Sequence, residues 1–372
     1  MDRGRNVSRV VKQTLLKSAF LALVLATSWL ASTSVAFARE REWQPQRTWV
    51  FVVGILEWQD SETFPSFPKA NRRDAQLVNF FRGAGVPSTQ VIYLQDAQAT
   101  TRRVRERFSQ MLSQTREGDF LFVYFTGHGY KSDDERTTFF ATYDAGQDAL
   151  GWSTRSIVSD INSRFQGSRV LLTADCCFSG ELVKDARRLG PRFSYAALTS
   201  ASSSQVSTEN WTFTEMLLAG LRGKSYADVD GDGHVTLSEL AENEKRDMAF
   251  AESQQVAFIA NGLSNETVIA QAPQSANPAI GRRVIVRSEG DWYKGRVIDV
   301  RGNRLRVHYF GYEDADDEWV LPRQIRGDRN SSTSEWQTSE RQFGGVDGWI
   351  RTGSNQSSTT TTRNGWLTTP LN

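Results

Sequence analysis

Histidine and cysteine are scarce in this chain, and neither sign of charge is in excess. Its 372 residues include three histidines, two cysteines and nine prolines, and 44 Lys+Arg face 43 Asp+Glu. The two cysteines, Cys176 and Cys177, are neighbours, so they cannot staple distant segments and a disulfide framework is excluded. A formal net charge of +1 gives no electrostatic reason to expect nucleic acid as a partner. No apolar run reaches the ~20 residues that a membrane-spanning helix needs, so an integral membrane partner is not expected either. With 39% hydrophobic and 23% charged residues the composition is that of a globular protein, which excludes full disorder and collagen. The length suits two domains.

The N-terminus reads as an address. Arg3, Arg5, Arg9, Lys12 and Lys17 precede an apolar run from Ala19 to Ala31, interrupted by Thr27 and Ser28. Ala36-Phe37-Ala38 follows as a small-x-small cleavage signal. Residues 1–38 are therefore expected to be a signal peptide, cut after Ala38, with the remainder exported. An uncleaved anchor is the alternative, although the run is short for a span.

From Thr48 to Ala270, short continuous apolar runs alternate with helical periodicity. The runs are Trp49–Leu56, Val91–Leu94, Phe120–Phe125, Val170–Ala174, Tyr195–Leu198 and Val256–Ile259. Continuous rather than alternating apolar runs fit strands buried on both faces. Val104, Phe108, Met111 and Leu112 share one helical face, as do Ile157, Ile161 and Phe165, and Phe213, Met216, Leu217 and Leu221. The fold class is α/β, a mostly parallel sheet flanked by helices. Residues 39–270 form this part and 271–279, with two prolines, a linker. Residues 280–326 carry short strands separated by Glu289-Gly290-Asp291 and Arg301-Gly302-Asn303 turns, predicting a small all-β barrel of about five strands. Residues 327–372, rich in Ser, Thr, Asn and Gly, are read as a disordered tail.

Two polar clusters stand where predicted strands end. Phe120–Phe125 runs into Thr126-Gly127-His128-Gly129, and Val170–Ala174 into Asp175-Cys176-Cys177-Phe178-Ser179-Gly180. In an open parallel sheet, ligand sites form at the carboxyl ends of strands. A cysteine attacks as thiolate and needs a base nearby. Of His128, His234 and His308, His128 alone stands at such an end. Each fragment by itself is ordinary: a buried cysteine is usually inert, and Gly-His-Gly can be a turn. Together, at matched strand ends, they predict a His/Cys dyad.

Residues 48–270 resemble the caspase-like cysteine peptidases, nearer to metacaspases and their bacterial relatives. Tyr124-Phe125-Thr126-Gly127-His128-Gly129 is similar to that family's Tyr-Ser-Gly-His-Gly, and residues 175–180 to its Asp-Ser-Cys-His-Ser-Gly. The 49 residues from His128 to Cys177 match the family's spacing of about 50. Asn71-Arg72-Arg73-Asp74-Ala75 resembles its Asn-Asp-Ala segment, and Leu198–Ala201 with Phe213-Thr214 its small-subunit strand and helix. The departures are Cys176 for Ser and Phe178 for His. The resemblance implies a cysteine-type endopeptidase with Cys177 as nucleophile and His128 as base. It implies an oxyanion hole from the Gly129 and Cys177 amides, and a pocket of Asp74, Thr126 and Asp175 that selects Arg or Lys at P1, the residue before the cut. No cofactor is required. The basic stretch Lys184, Arg187, Arg188, Arg192 falls at the family's subunit junction and is either a self-cleavage loop or a solvated face. A catalytically inactive scaffold of the same fold is the rival reading.

Asp228-x-Asp230-x-Asp232-Gly233 with Glu239 has the spacing of a twelve-residue calcium loop. An acidic turn capping a helix gives the same pattern. Residues 280–326 resemble the Tudor-knot or chromo-barrel group of SH3-like domains. That resemblance implies an aromatic cluster of Tyr293, Tyr309, Tyr312 and Trp319 able to frame a cation or serve as core. The barrel's ligand is unassigned. Residues 282–306 carry eight basic and three acidic side chains, and 313–318 five acidic ones.

Overall fold

A computed structural model describes residues 43–146, 150–274 and 277–327. The expected signal peptide, residues 1–38, and nearly all of the expected tail lie outside the described residues. Strands run in chain order as β1 (Thr48–Gly54), β2 (Val91–Gln95), β3 (Phe120–Thr126), β4 (Gly129–Lys131), β5 (Thr138–Phe140), β6 (Trp152–Ser153), β7 (Arg169–Asp175) and β8 (Ser194–Thr199). They continue as β9 (His234–Thr236), β10 (Ala257–Asn261) and β11 (Val268–Gln271). Helices are α1 (Arg73–Gly83), α2 (Thr101–Leu112), α3 (Thr154–Arg164), α4 (Gly180–Ala186), α5 (Thr212–Leu221) and α6 (Leu237–Asp247).

The central sheet has the order β10-β8-β7-β3-β1-β2. Pairing is parallel from β2 to β8, and β10 joins β8 antiparallel. All six expected runs are strands of this sheet. An apolar run carries no direction, and β10 comes out as a half-buried antiparallel edge. Side chains alternate between two cores. Trp49, Phe51 and Val53 of β1 pack with α2 and α3, while Val50 and Val52 face α1, α5 and α6. The expected helical faces are buried: Val104, Phe108, Met111 and Leu112 on α2, Ile157 and Ile161 on α3, and Phe213, Met216 and Leu217 on α5. Hydroxyl caps start three of these helices. Thr100 and Ser153 accept the amides of Arg103 and Ser156, and Thr236 makes a capping box with Glu239. Among the described residues no helix is long and apolar enough to cross a membrane.

β12 (Arg283–Ser288), β13 (Asp291–Arg301), β14 (Arg304–Tyr309), β15 (Glu318–Val320) and β16 (Ile325–Gly327) form a five-stranded antiparallel sheet. It has its own small core of Val284, Val286, Val297, Leu305, Val307 and Val320. It is nevertheless bolted to the α/β part, and the two belong to one compact unit. Asp247, at the end of α6, accepts from Arg283 Nε at 2.7 Å and also pairs with Arg296. Arg73 Nη2 reaches Glu215 at 2.8 Å and Asp314 at 3.1 Å. His308 lies between Asp317 (2.8 Å) and Glu215 (3.4 Å).

Burial works against a charge on His308, but its bonds to Asp317 and Glu215 outweigh it and raise the imidazole to about 10. Unfolded histidine titrates near 6.5. The stabilisation from this group is therefore whole below ~6.5 and is lost as pH rises through about 10. Urea melts across that range are expected to show this decline, and His308→Gln to flatten it.

Candidate active site

The carboxyl edge of the sheet brings the expected site residues into one row. Gly54 is in register with Thr126, and Thr126 with Asp175. His128 and Cys177 each follow two residues beyond their strand's last residue. The order of strands reverses between β1 and β3, and at such a switch point the crevice above the strand ends is open to ligand.

His128 is held by contacts that sequence reasoning did not find. Its Nε2 bonds the Pro65 carbonyl at 2.8 Å. A carbonyl can only accept, so in the neutral ring Nε2 carries the proton and Nδ1 the lone pair. The ring is packed by Phe67 at 4.4 Å, Trp58 at 4.5 Å and Phe64 at 5.7 Å between centroids. Burial lowers its pKa, against the raising influence of the Pro65 carbonyl and Glu209. The only trace of this in the sequence is the aromatic and proline content of residues 58–67, which has no spacing rule attached.

Cys177 is half-buried and Cys176 buried, both free thiols. The Cys177 Sγ accepts the Ser207 amide at 3.2 Å. Burial raises its pKa, partly offset by the amides of Ser207, Cys177 and Gly129. Two of those three are the amides expected to form the oxyanion hole. Among the described residues, no hydrogen bond joins the His128 ring to the Cys177 sulfur. Phe178 stands in the left-handed region at φ 55, with its amide on the Gln205 carbonyl at 2.8 Å. Such conformations persist only where surroundings enforce them. Gly129 is forced by close approach: a Cβ there would lie 2.1 Å from the Cys177 carbonyl oxygen. Gly129→Ala is expected to displace the Cys177 loop and cost about 1–3 kcal/mol, read from thermal melts.

Asp74, Thr126 and Asp175 are all buried. Asp175 accepts from Thr214 Oγ1 at 2.6 Å, and Thr214 Oγ1 lies 2.6 Å from the Tyr124 hydroxyl. Burial raises Asp175 to about 6, with Thr214 and Ser200 pulling the other way. Burial raises the Tyr124 hydroxyl's pKa well above its ordinary value, and the charges of Asp175 and Asp74 push the same way. Asp74, however, is already paired with Arg72 at 2.8 Å and accepts the Tyr93 hydroxyl at 2.7 Å. The basic stretch after Cys177 is pinned rather than loose. Arg188 pairs with Asp185 at 3.4 Å, and Arg192 donates to the Phe165 carbonyl at 2.6 Å.

Away from this row, Asp228, Asp230 and Asp232 bring carboxylate oxygens within 4.8 Å of one another. Glu239 does not join them. Its Oε1 takes the Val229 and Asp230 amides, and its Oε2 the Thr236 amide and hydroxyl. In the small sheet, Tyr293, Tyr309 and Tyr312 meet edge to face at 5.7–6.2 Å. They lie against that sheet's own core. The Arg301 guanidinium stacks on Trp319 at 4.9 Å. An apolar cavity of about 80 Å³ opens elsewhere, lined by Trp43, Phe80, Phe120, Leu221 and Leu263. It includes none of the residues of the row.

No family model matches the chain, and no curated protein does. Among solved structures, a crystal structure of protein GSU0716 from Geobacter sulfurreducens is similar. It is 14% identical, with a TM-score of 0.44 over 61% of this chain and 98% of that one. At that distance the likeness says nothing about chemistry.

Proposed function

We propose that this chain is an exported, caspase-like cysteine endopeptidase that cuts after Arg or Lys. The observation that carries the reading is the pairing of two strand ends. His128, with its proton-bearing Nε2 on a carbonyl and Nδ1 free to accept, follows β3. Cys177, whose sulfur accepts the Ser207 amide, follows the adjacent β7. A nucleophile, a base and a third group that orients the base are the parts that covalent acyl transfer needs.

In the proposed cycle His128 Nδ1 takes the Cys177 proton and Sγ attacks the scissile carbonyl. The Gly129 and Cys177 amides then face the oxygen on which charge develops. The imidazolium gives its proton to the leaving amine, and water, activated by the same nitrogen, releases the acyl group. Burial lowers the His128 pKa and raises that of Cys177, and both shifts work against a charged resting pair. Asp74 and Asp175 supply the negative charge for a basic P1 side chain.

The inactive-scaffold reading draws on one observation, the missing imidazole–sulfur hydrogen bond. Fluorogenic peptides that differ only at P1, as Arg, Lys or Asp, separate the two. With reductant present, cleavage after Arg or Lys that vanishes in Cys177→Ala is expected, and no cleavage under any condition would favour the scaffold. Calcium is proposed as a ligand of Asp228, Asp230 and Asp232, with a structural role. Calorimetry is expected to give a calcium isotherm that Asp230→Ala abolishes.

A further inference from the structure

The carboxyl edge of β1 contains a built site for a guanidinium group, filled by the chain's own Arg72. Nε and Nη2 of Arg72 fork onto the two oxygens of Asp74 at 3.1 and 2.8 Å. Nη2 also donates to the Gly54 carbonyl at 2.8 Å, and Nη1 to Asp96 Oδ2 at 2.6 Å. The bidentate geometry is the one that arginine alone among cations offers a carboxylate. The site is closed: the Asp74 side chain is 0% exposed, and those of Arg72 and Asp96 are 9% and 10%.

The backbone around it is strained to fit. Asn71 and Asp96 stand at φ 55 and 47, sparsely populated for residues with side chains. At Gly54 a Cβ would lie 1.8 Å from Asp74 Oδ2, so only glycine lets that carboxylate sit over the strand end. Gly54 is in register with Thr126, the residue two before His128. The filled site is therefore part of the row that ends in the dyad, and its main carboxylate is the one assigned above to a basic P1 side chain.

We propose that Asp74, Asp96 and the Gly54 carbonyl form a pocket for the guanidinium of an arginyl substrate, and that Arg72 is its internal occupant, which the substrate must displace. The identity of the incoming group as a P1 side chain rests on the peptidase reading, whereas the guanidinium pocket stands without it. Asp74 cannot hold two forks: its oxygens already take Nε, Nη2 and the Tyr93 hydroxyl. While Arg72 is in place, arginyl peptides compete with a group of effectively higher concentration, tethered one residue from α1.

The test uses the full chain with Cys177→Ala, and agmatine as a free guanidinium. Agmatine at millimolar concentration is expected to raise the melting temperature of Arg72→Gln by about 3–5 °C. It should leave the chain with Arg72 intact, and the Arg72→Gln/Asp74→Asn pair, unmoved. Equal melting of Arg72→Gln with and without agmatine would overturn the proposal. If Arg72→Gln does not fold even with agmatine, Arg72→Lys decides, since it keeps a charge but not the fork. Stabilisation of Arg72→Lys by agmatine supports the pocket, and none overturns it. With Cys177 restored, Arg72→Gln is expected to favour cleavage after Arg over Ala by a further factor of about ten. Agmatine binding without cleavage in any variant would defeat the peptidase reading and leave the pocket standing.

Discussion

Replacing Cys177 with alanine is expected to lower kcat/KM on an arginyl peptide by a factor on the order of 10⁴ or more. His128→Ala should fall to about the same floor, and the double variant no lower, because nucleophile and base act as one unit. Cys177→Ala should barely move the melting temperature, since Cys177 is only half-buried and its sulfur accepts one amide, whereas His128→Ala also gives up the ring packing of Trp58, Phe64 and Phe67 and should lower it somewhat. A pH profile sharpens the expectation. A general base works when unprotonated, and burial lowers His128 below its ordinary value. The acid limb of kcat/KM should therefore lie below the ~6.5 of a free imidazole. A limb above that value would mean that another group is the base.

The largest stability effect is expected at Asp247. It is 1% exposed and serves two guanidinium groups, Arg283 at 15% and Arg296 at 3% exposure. Asp247→Ala would strand Arg296, whose Nη1 already lacks a partner. Removing one member of a buried pair costs roughly 3–5 kcal/mol, because the other charge stays buried without compensation. Chemical denaturation should show this loss. Asp247→Ala with Arg296→Met should recover part of it, since an apolar pair of similar volume carries no desolvation cost.

Much of the sheet was legible in the sequence, and so was the placement of His128 and Cys177. A strand buried on both faces must be apolar throughout, so six runs stood out between polar helical segments. The direction of β10 was not legible, since hydrophobicity along a strand is the same read either way. Nor was the Pro65 carbonyl, because any residue supplies a carbonyl and only the path of the chain aims it at a ring. Arg72 was quoted within a motif, yet its fork onto Asp74 depends on the left-handed turn at Asn71, which sequence does not announce. Glu239 had the right spacing for a metal ligand. It is taken up instead by four loop and cap bonds, a local competition that spacing cannot resolve.

The ties between the small sheet and the α/β part bear on how the molecule is made. Synthesis delivers the chain from its N-terminus, and domains commonly fold as they emerge. Arg73, Glu215 and Asp247 all leave the ribosome before Arg283, Arg296, His308 and Asp314 exist. In an α/β part folding alone, Arg73 and Glu215 still have each other, but Asp247 would lack both of its guanidinium partners. The charge at the end of α6 thus waits on Arg283 and Arg296, which are made only after the linker. A chain stopped at the linker is expected to be an assembly intermediate rather than a smaller version of the protein.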